Sequence, residues 1–193
     1  MFLRAMALCV LASPSFGACV DYLSFAKGVT VTLTDGSSWR VRRDAHEVIR
    51  QDQLDAKGPF ARYMEGPYGV YPTESTRNGQ GAVTEYRYAR TPPEPVPGMD
   101  WTSNVRASST PTGQVKAETW REKAHVTAGD VQTVKIGTCR YRALEMDMGH
   151  LGGPYPTVQH FTYFPDLRFG IQTRITYAKD TVKKASVVRM VAE

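Results

Sequence analysis

The chain has 193 residues, of which 41% are hydrophobic and 22% charged, with a formal net charge of +5. That length supports one well-cored domain. Past the N-terminus no apolar run approaches the roughly 20 residues a bilayer span needs. The basic residues are dispersed, densest at Arg40, Arg42 and Arg43 and then at Lys183-Lys184, and form no concentrated face with stacking aromatics. Nucleic acid is therefore excluded as a partner.

The first nineteen residues read as an export signal. Arg4 supplies the positive end, Ala5 to Ala12 a short apolar core, and Ser13-Pro14-Ser15-Phe16-Gly17 a helix break with small residues at Ser15 and Gly17. This pattern suits cleavage before Ala18, making residues 1–17 the signal peptide, residues 18–193 the domain, and the location periplasmic or secreted. Cys9 leaves with the signal; Cys19 and Cys139 remain. An even count in an oxidising compartment favours a Cys19–Cys139 disulfide. Phe16-Gly17-Ala18-Cys19 also resembles a lipoprotein signal, with a lipid anchor at Cys19, although Phe16 stands where an aliphatic residue is usual.

The body reads as strands. Val29 to Thr34 alternates apolar and hydroxyl residues, Asp35-Gly36 is a hairpin signal, and Ser38 to Arg43 returns with Trp39 and Val41 on one face. His46 to Gln51 fits either a strand or a helical turn. Strands are expected at Tyr68–Glu74, Ala82–Ala89, Trp101–Ser108, Val131–Ile136, Cys139–Met148, Thr157–Phe164, Arg168–Tyr177 and Ser186–Val191. Gln114 to Val126 carries both helical and two-residue spacing; its neighbours favour a strand. Thr91 to Gly98 holds four prolines and is expected as a stiff surface loop within one domain. The fold class expected is mainly β: a single antiparallel meander forming a curved sheet or a partly closed barrel.

Few motifs carry chemistry. His46-Glu47-Val48-Ile49-Arg50 begins like the zinc-protease H-E-x-x-H but ends in Arg50, which cannot ligate zinc. Gly79-Gln80-Gly81 lacks the third glycine and following helix of a dinucleotide fingerprint. No sequence motif implies a cofactor.

One constellation surrounds the hairpin at 145–160. Met146, Met148 and His150 are soft donors that suit Cu(I) if they share a strand face; alternating core methionines and a turn histidine explain them equally. Glu145 and His160 are the acid–base candidates. With a turn centred between Gly152 and Gly153, Glu145 stands across from His160 and orients its ring; a one-residue slip separates them. Asp147 and His150 would complete an active site if at least three of these four side chains met in one cleft.

The run Tyr163-Phe164-Pro165-Asp166-Leu167-Arg168-Phe169-Gly170, with Gly137-Thr138-Cys139-Arg140-Tyr141 before it, resembles the Y-x-P-x-L-G hairpin and G-x-C-x-Y strand of uncharacterised bacterial periplasmic β-rich proteins. Arg168-Phe169 intervenes before the glycine. The resemblance implies an envelope location and a curved antiparallel sheet, and imports no activity. Two functions are expected to compete. One is a non-enzymatic envelope protein binding an apolar ligand or a protein partner through aromatics, with Trp120, Tyr141, Phe161 and Tyr163 the candidates and Tyr86, Tyr88 and Phe164 beside them. The other is a small hydrolase or copper-binding protein built on the 145–160 hairpin.

Overall fold

The computed structural model describes residues 19–54, 62–76, 82–110, 116–154, 156–177 and 185–193. The signal-like residues 1–17, the Gly79-Gln80-Gly81 stretch and Lys183-Lys184 lie outside them. A single helical turn, α1 (Ser24–Lys27), precedes twelve strands: β1 (Val29–Leu33), β2 (Ser38–Arg43), β3 (Val48–Gln53), β4 (Tyr63–Pro67), β5 (Glu74–Thr76), β6 (Val83–Tyr88), β7 (Asp100–Thr110), β8 (Glu118–Ile136), β9 (Cys139–Leu151), β10 (Thr157–Phe164), β11 (Phe169–Tyr177) and β12 (Val187–Ala192). Consecutive strands from β1 to β11 pair antiparallel, and β12 returns to pair with β1. The sheet is thus nearly closed into a barrel with one unsealed seam, between β11 and β12. Just before β12, Ala185 N–H donates to Thr173 C=O across that seam at 3.3 Å.

Two-residue alternation drives the closure. In β1, Val29, Val31 and Leu33 are buried while Thr30 and Thr32 are half-buried, and β2 buries Trp39, Val41 and Arg43 in the same way. The Pro-rich stretch 91–98 joins β6 to β7, which pair with each other from Val83↔Thr110 to Tyr88↔Val105. The segment Gln114–Val126 enters β8 as strand from Glu118 onward.

The interior divides into two apolar clusters. Val29, Val31, Val41, Phe25, Phe164, Phe169 and Ile171 belong to one; Tyr71, Trp101, Met146, Met148, Phe161 and Tyr163 belong to the other. Phe161 to Phe164 are all buried, so the end of β10 lies between the clusters with both faces covered. An irregularity between Ala128 and Val131 in the β8–β9 pairing accompanies the same switch. Leu144 and Met146 point to one cluster, whereas Tyr141 and Ala143 point to the other.

Tyr68–Glu74 is not a continuous strand, contrary to the sequence expectation. The strand lies earlier, at Tyr63–Pro67, and Tyr68 to Tyr71 turns into the barrel, with Val70 and Tyr71 fully buried. The turn needs left-handed backbone at Tyr68 (φ 56°) and Gly69 (φ 65°). Gln51 Nε2 anchors it by donating to Gly69 C=O at 2.8 Å and Gly170 C=O at 3.1 Å. A propensity reading sees the aromatics of this stretch and misses the turn, because the stabilisation comes from distant strands.

The arginine group is also not one solvated face. Arg40 and Arg42 are exposed, but Arg43 is turned inward with its side chain 5% exposed. It donates to Leu167 C=O at 2.5 Å and Tyr22 C=O at 2.9 Å, and its guanidinium carbon sits 3.9 Å from the Tyr22 ring centroid. Cys19 and Cys139 form a disulfide with a Cα–Cα distance of 5.7 Å, tying the segment before α1 to the β8–β9 turn. The Cys19 sulfur is thus engaged in the expected disulfide.

Candidate functional site: the barrel interior

The inward face is apolar over much of its length and becomes polar toward the end bearing the β3–β4, β7–β8 and β9–β10 connections. Two adjoining hollows of about 120 Å³ and about 250 Å³ lie there, sharing Trp39, Arg62, Gln172 and Ile175 as walls. Trp120, Tyr86, Met64, Gln51 and Gln159 complete much of the smaller one.

Its centre is a buried acid–histidine pair. On β8, period-two geometry puts Trp120, Glu122, Ala124 and Val126 on one face. On β9 it aligns Met146, Met148 and His150. The register Ala124↔His150 makes Glu122 the diagonal neighbour of His150. His150 Nδ1 lies 2.6 Å from Glu122 Oε1, and both side chains are 4% exposed. Trp120 Nε1–H donates to the other carboxylate oxygen at 2.8 Å. Burial pushes the Glu122 carboxyl up, but the hydrogen bond and charge of His150 and the Trp120 hydrogen bond outweigh it, so its pKa falls below the ordinary value. Gly153 covers the pair closely, since a Cβ there would approach Glu122 Oε2 to 2.7 Å.

Three polar atoms of this wall, His150 Nε2, Gln159 Oε1 and Trp39 Nε1, have no hydrogen-bond partner among the described residues. Buried polar atoms are seldom left so. A carboxylate can only accept, so His150 Nδ1 carries its hydrogen toward Glu122.

The sequence-derived candidates separate. His160 faces outward, opposite Asp147 and not Glu145: its Nδ1 is 2.6 Å from Asp147 Oδ1 and its Nε2 2.9 Å from Thr176 Oγ1. Glu145 pairs with Thr162, whose hydroxyl donates to it at 3.1 Å. The expected turn centre was off by one position, which moves the partner by two residues and so keeps the face but changes the carboxylate. Glu145 and Asp147 point away from the interior that holds His150, so the four acid–base candidates do not meet in one cleft. Met146 and Met148 are packed in the apolar core, and His150 is engaged with Glu122. Among the described residues no three His, Cys, Asp or Glu side chains gather to hold a metal ion.

Of the aromatic candidates, Trp120 lines the cavity, as does Tyr86. Phe161 and Tyr163 are fully buried core residues. Tyr141 lies in the other cluster, its hydroxyl accepting from Val20 N–H at 3.0 Å. Glu122, Trp39 and Gln159 were not singled out from the sequence. One signal was present: Glu122 is a carboxylate at a position whose alternate neighbours, Trp120 and Ala124, share its face.

Comparison with protein-family models, with curated proteins and with solved structures finds no match to this chain.

Proposed function

We infer that this is an exported, non-enzymatic binding protein that holds a small molecule inside its β-barrel. The observation that carries the reading is the hollow itself: the aromatic side chains of Trp39, Tyr86 and Trp120 line it together with the buried Glu122–His150 pair. A concave, aromatic-sided hollow with a few polar groups in its wall is the usual form of a small-molecule site. The signal-like N-terminus and the Cys19–Cys139 bridge support an oxidising location, periplasmic or secreted.

Non-denaturing mass spectrometry of the protein recovered from the cell envelope tests this. The expected result is a chain beginning at Ala18, two hydrogens lighter than the reduced form, carrying a retained small-molecule mass that is lost on denaturation. A chain that keeps residues 1–17 and stays with the cytoplasmic fraction would sink the exported reading. An envelope form that carries no added mass and gains none from a small-molecule panel would sink the binding reading.

A further inference from the structure

We propose that the two hollows together take an amphipathic organic acid, with a single apolar ring in the smaller one and a carboxylate in the larger, at Arg62 and Arg174. This rests on the binding reading above and names its ligand class. The ring follows from the smaller hollow of about 120 Å³, since an engineered cavity of about 150 Å³ accommodates benzene. Trp39, Tyr86 and Trp120 give it aromatic neighbours. Trp39, Arg62, Gln172 and Ile175 are walls of both hollows, so one molecule can extend from one into the other.

The charge follows from how the ionic residues divide between the walls. Arg62 lines both hollows and Arg174 the larger alone. Arginine keeps its charge throughout the physiological pH range, and its planar fork matches a carboxylate. Asp35 is the acidic residue of the larger wall. Its Oδ1 already accepts from Ser37 N–H at 2.9 Å and from Ser37 Oγ–H at 2.7 Å in the β1–β2 turn. Two cations to one carboxylate leave that hollow with an excess of positive charge, which attracts an anion and repels a cation. Glu122 lines the smaller hollow and not the larger, and there it accepts from His150 and Trp120. Its carboxylate repels a second one, which sets the direction of the ligand: ring beside Trp120, acid group beside Arg174.

The test is a pair of ligands of nearly the same shape, one charged and one neutral. Uniformly nitrogen-labelled oxidised protein is titrated at neutral pH with hydrocinnamate and, separately, with hydrocinnamyl alcohol, following the indole N–H resonances of Trp39 and Trp120 by NMR. The carboxylate is expected to shift both and to bind about ten-fold or more tightly than the alcohol. Hydrophobic transfer alone would give the opposite order, because the ionised acid is the better hydrated of the two. Arg62→Gln and Arg174→Gln are each expected to reduce the preference, and the double variant to bring it within about two-fold; the single variants carry the test if the double does not fold. Equal or tighter binding of the alcohol by the native protein would overturn anion recognition and leave the binding reading standing. A preference unchanged in both arginine variants would overturn the assigned residues. No saturable indole shift with either ligand would overturn the single-ring class, while the mass retained by the envelope form judges the binding reading separately.

Discussion

The Glu122–His150 pair makes a demanding prediction, because both side chains are 4% exposed and their contact is 2.6 Å. Removing one partner leaves the other desolvated and uncompensated, which in buried pairs costs about 3–5 kcal/mol. Glu122→Met alone strands the imidazole and also removes the carboxylate that accepts from Trp120; His150→Leu alone leaves the carboxylate with the Trp120 bond only. The double variant removes both members of the pair. It should lose only about 1 kcal/mol for the lost Trp120 bond, plus a small packing term. The coupling energy of the cycle, the two single costs less the double, is therefore expected at about 5 kcal/mol or more. Urea unfolding of the four proteins at neutral pH, with a common denaturant slope, measures it. Single effects that add to within about 0.5 kcal/mol would refute the reasoning. They would mean that water screens the pair and that neither group is truly desolvated.

Other expectations follow from the same geometry. Because the folded Glu122 pKa lies below its ordinary value of 4.5, this group stabilises the fold above that value, and the contribution is lost as pH falls through the folded pKa. Unfolding free energies at pH 5 and pH 3 should therefore converge in Glu122→Gln relative to the native protein; an unchanged acid limb would contradict this. Replacing Cys139 with Ser opens a loop of 120 residues and should cost up to about 5 kcal/mol, and a loss below about 1 kcal/mol in urea would show that the bridge constrains little. At Gly170 a Cβ would lie 2.5 Å from Val70 Cγ2. Gly170→Ala should destabilise by about 1–3 kcal/mol, and Val70→Ala in the same chain should recover part of that in thermal unfolding; no recovery would show that the clash is relieved elsewhere.

Much of the architecture was readable because strand physics is local. Alternation at Val29–Thr34, the Asp35-Gly36 turn and the apolar run at Thr157–Phe164 each specify a strand or hairpin without reference to the rest of the chain. The cysteine count, with Cys9 inside the signal-like start, likewise favoured the pairing of Cys19 with Cys139. The site was less legible, for two reasons. Pairing register is set by the turn and by neighbouring strands, and it decided that His160 meets Asp147 and not Glu145. Which face of a strand is interior depends on how the sheet rolls, and that sent His150 inward while leaving Glu145 and Asp147 outside.

By itself, then, the sequence determined a mainly antiparallel β chain with a disulfide and a signal-like start, because these depend on period-two patterning, turn chemistry and composition. Only the tertiary structure decided that Tyr68–Tyr71 plugs the barrel, that Phe161 and Tyr163 are core and not ligand walls, and that Glu122, a residue with no motif around it, meets His150. Those outcomes depend on contacts between residues far apart in the chain, whose formation requires the whole sheet to curl upon itself.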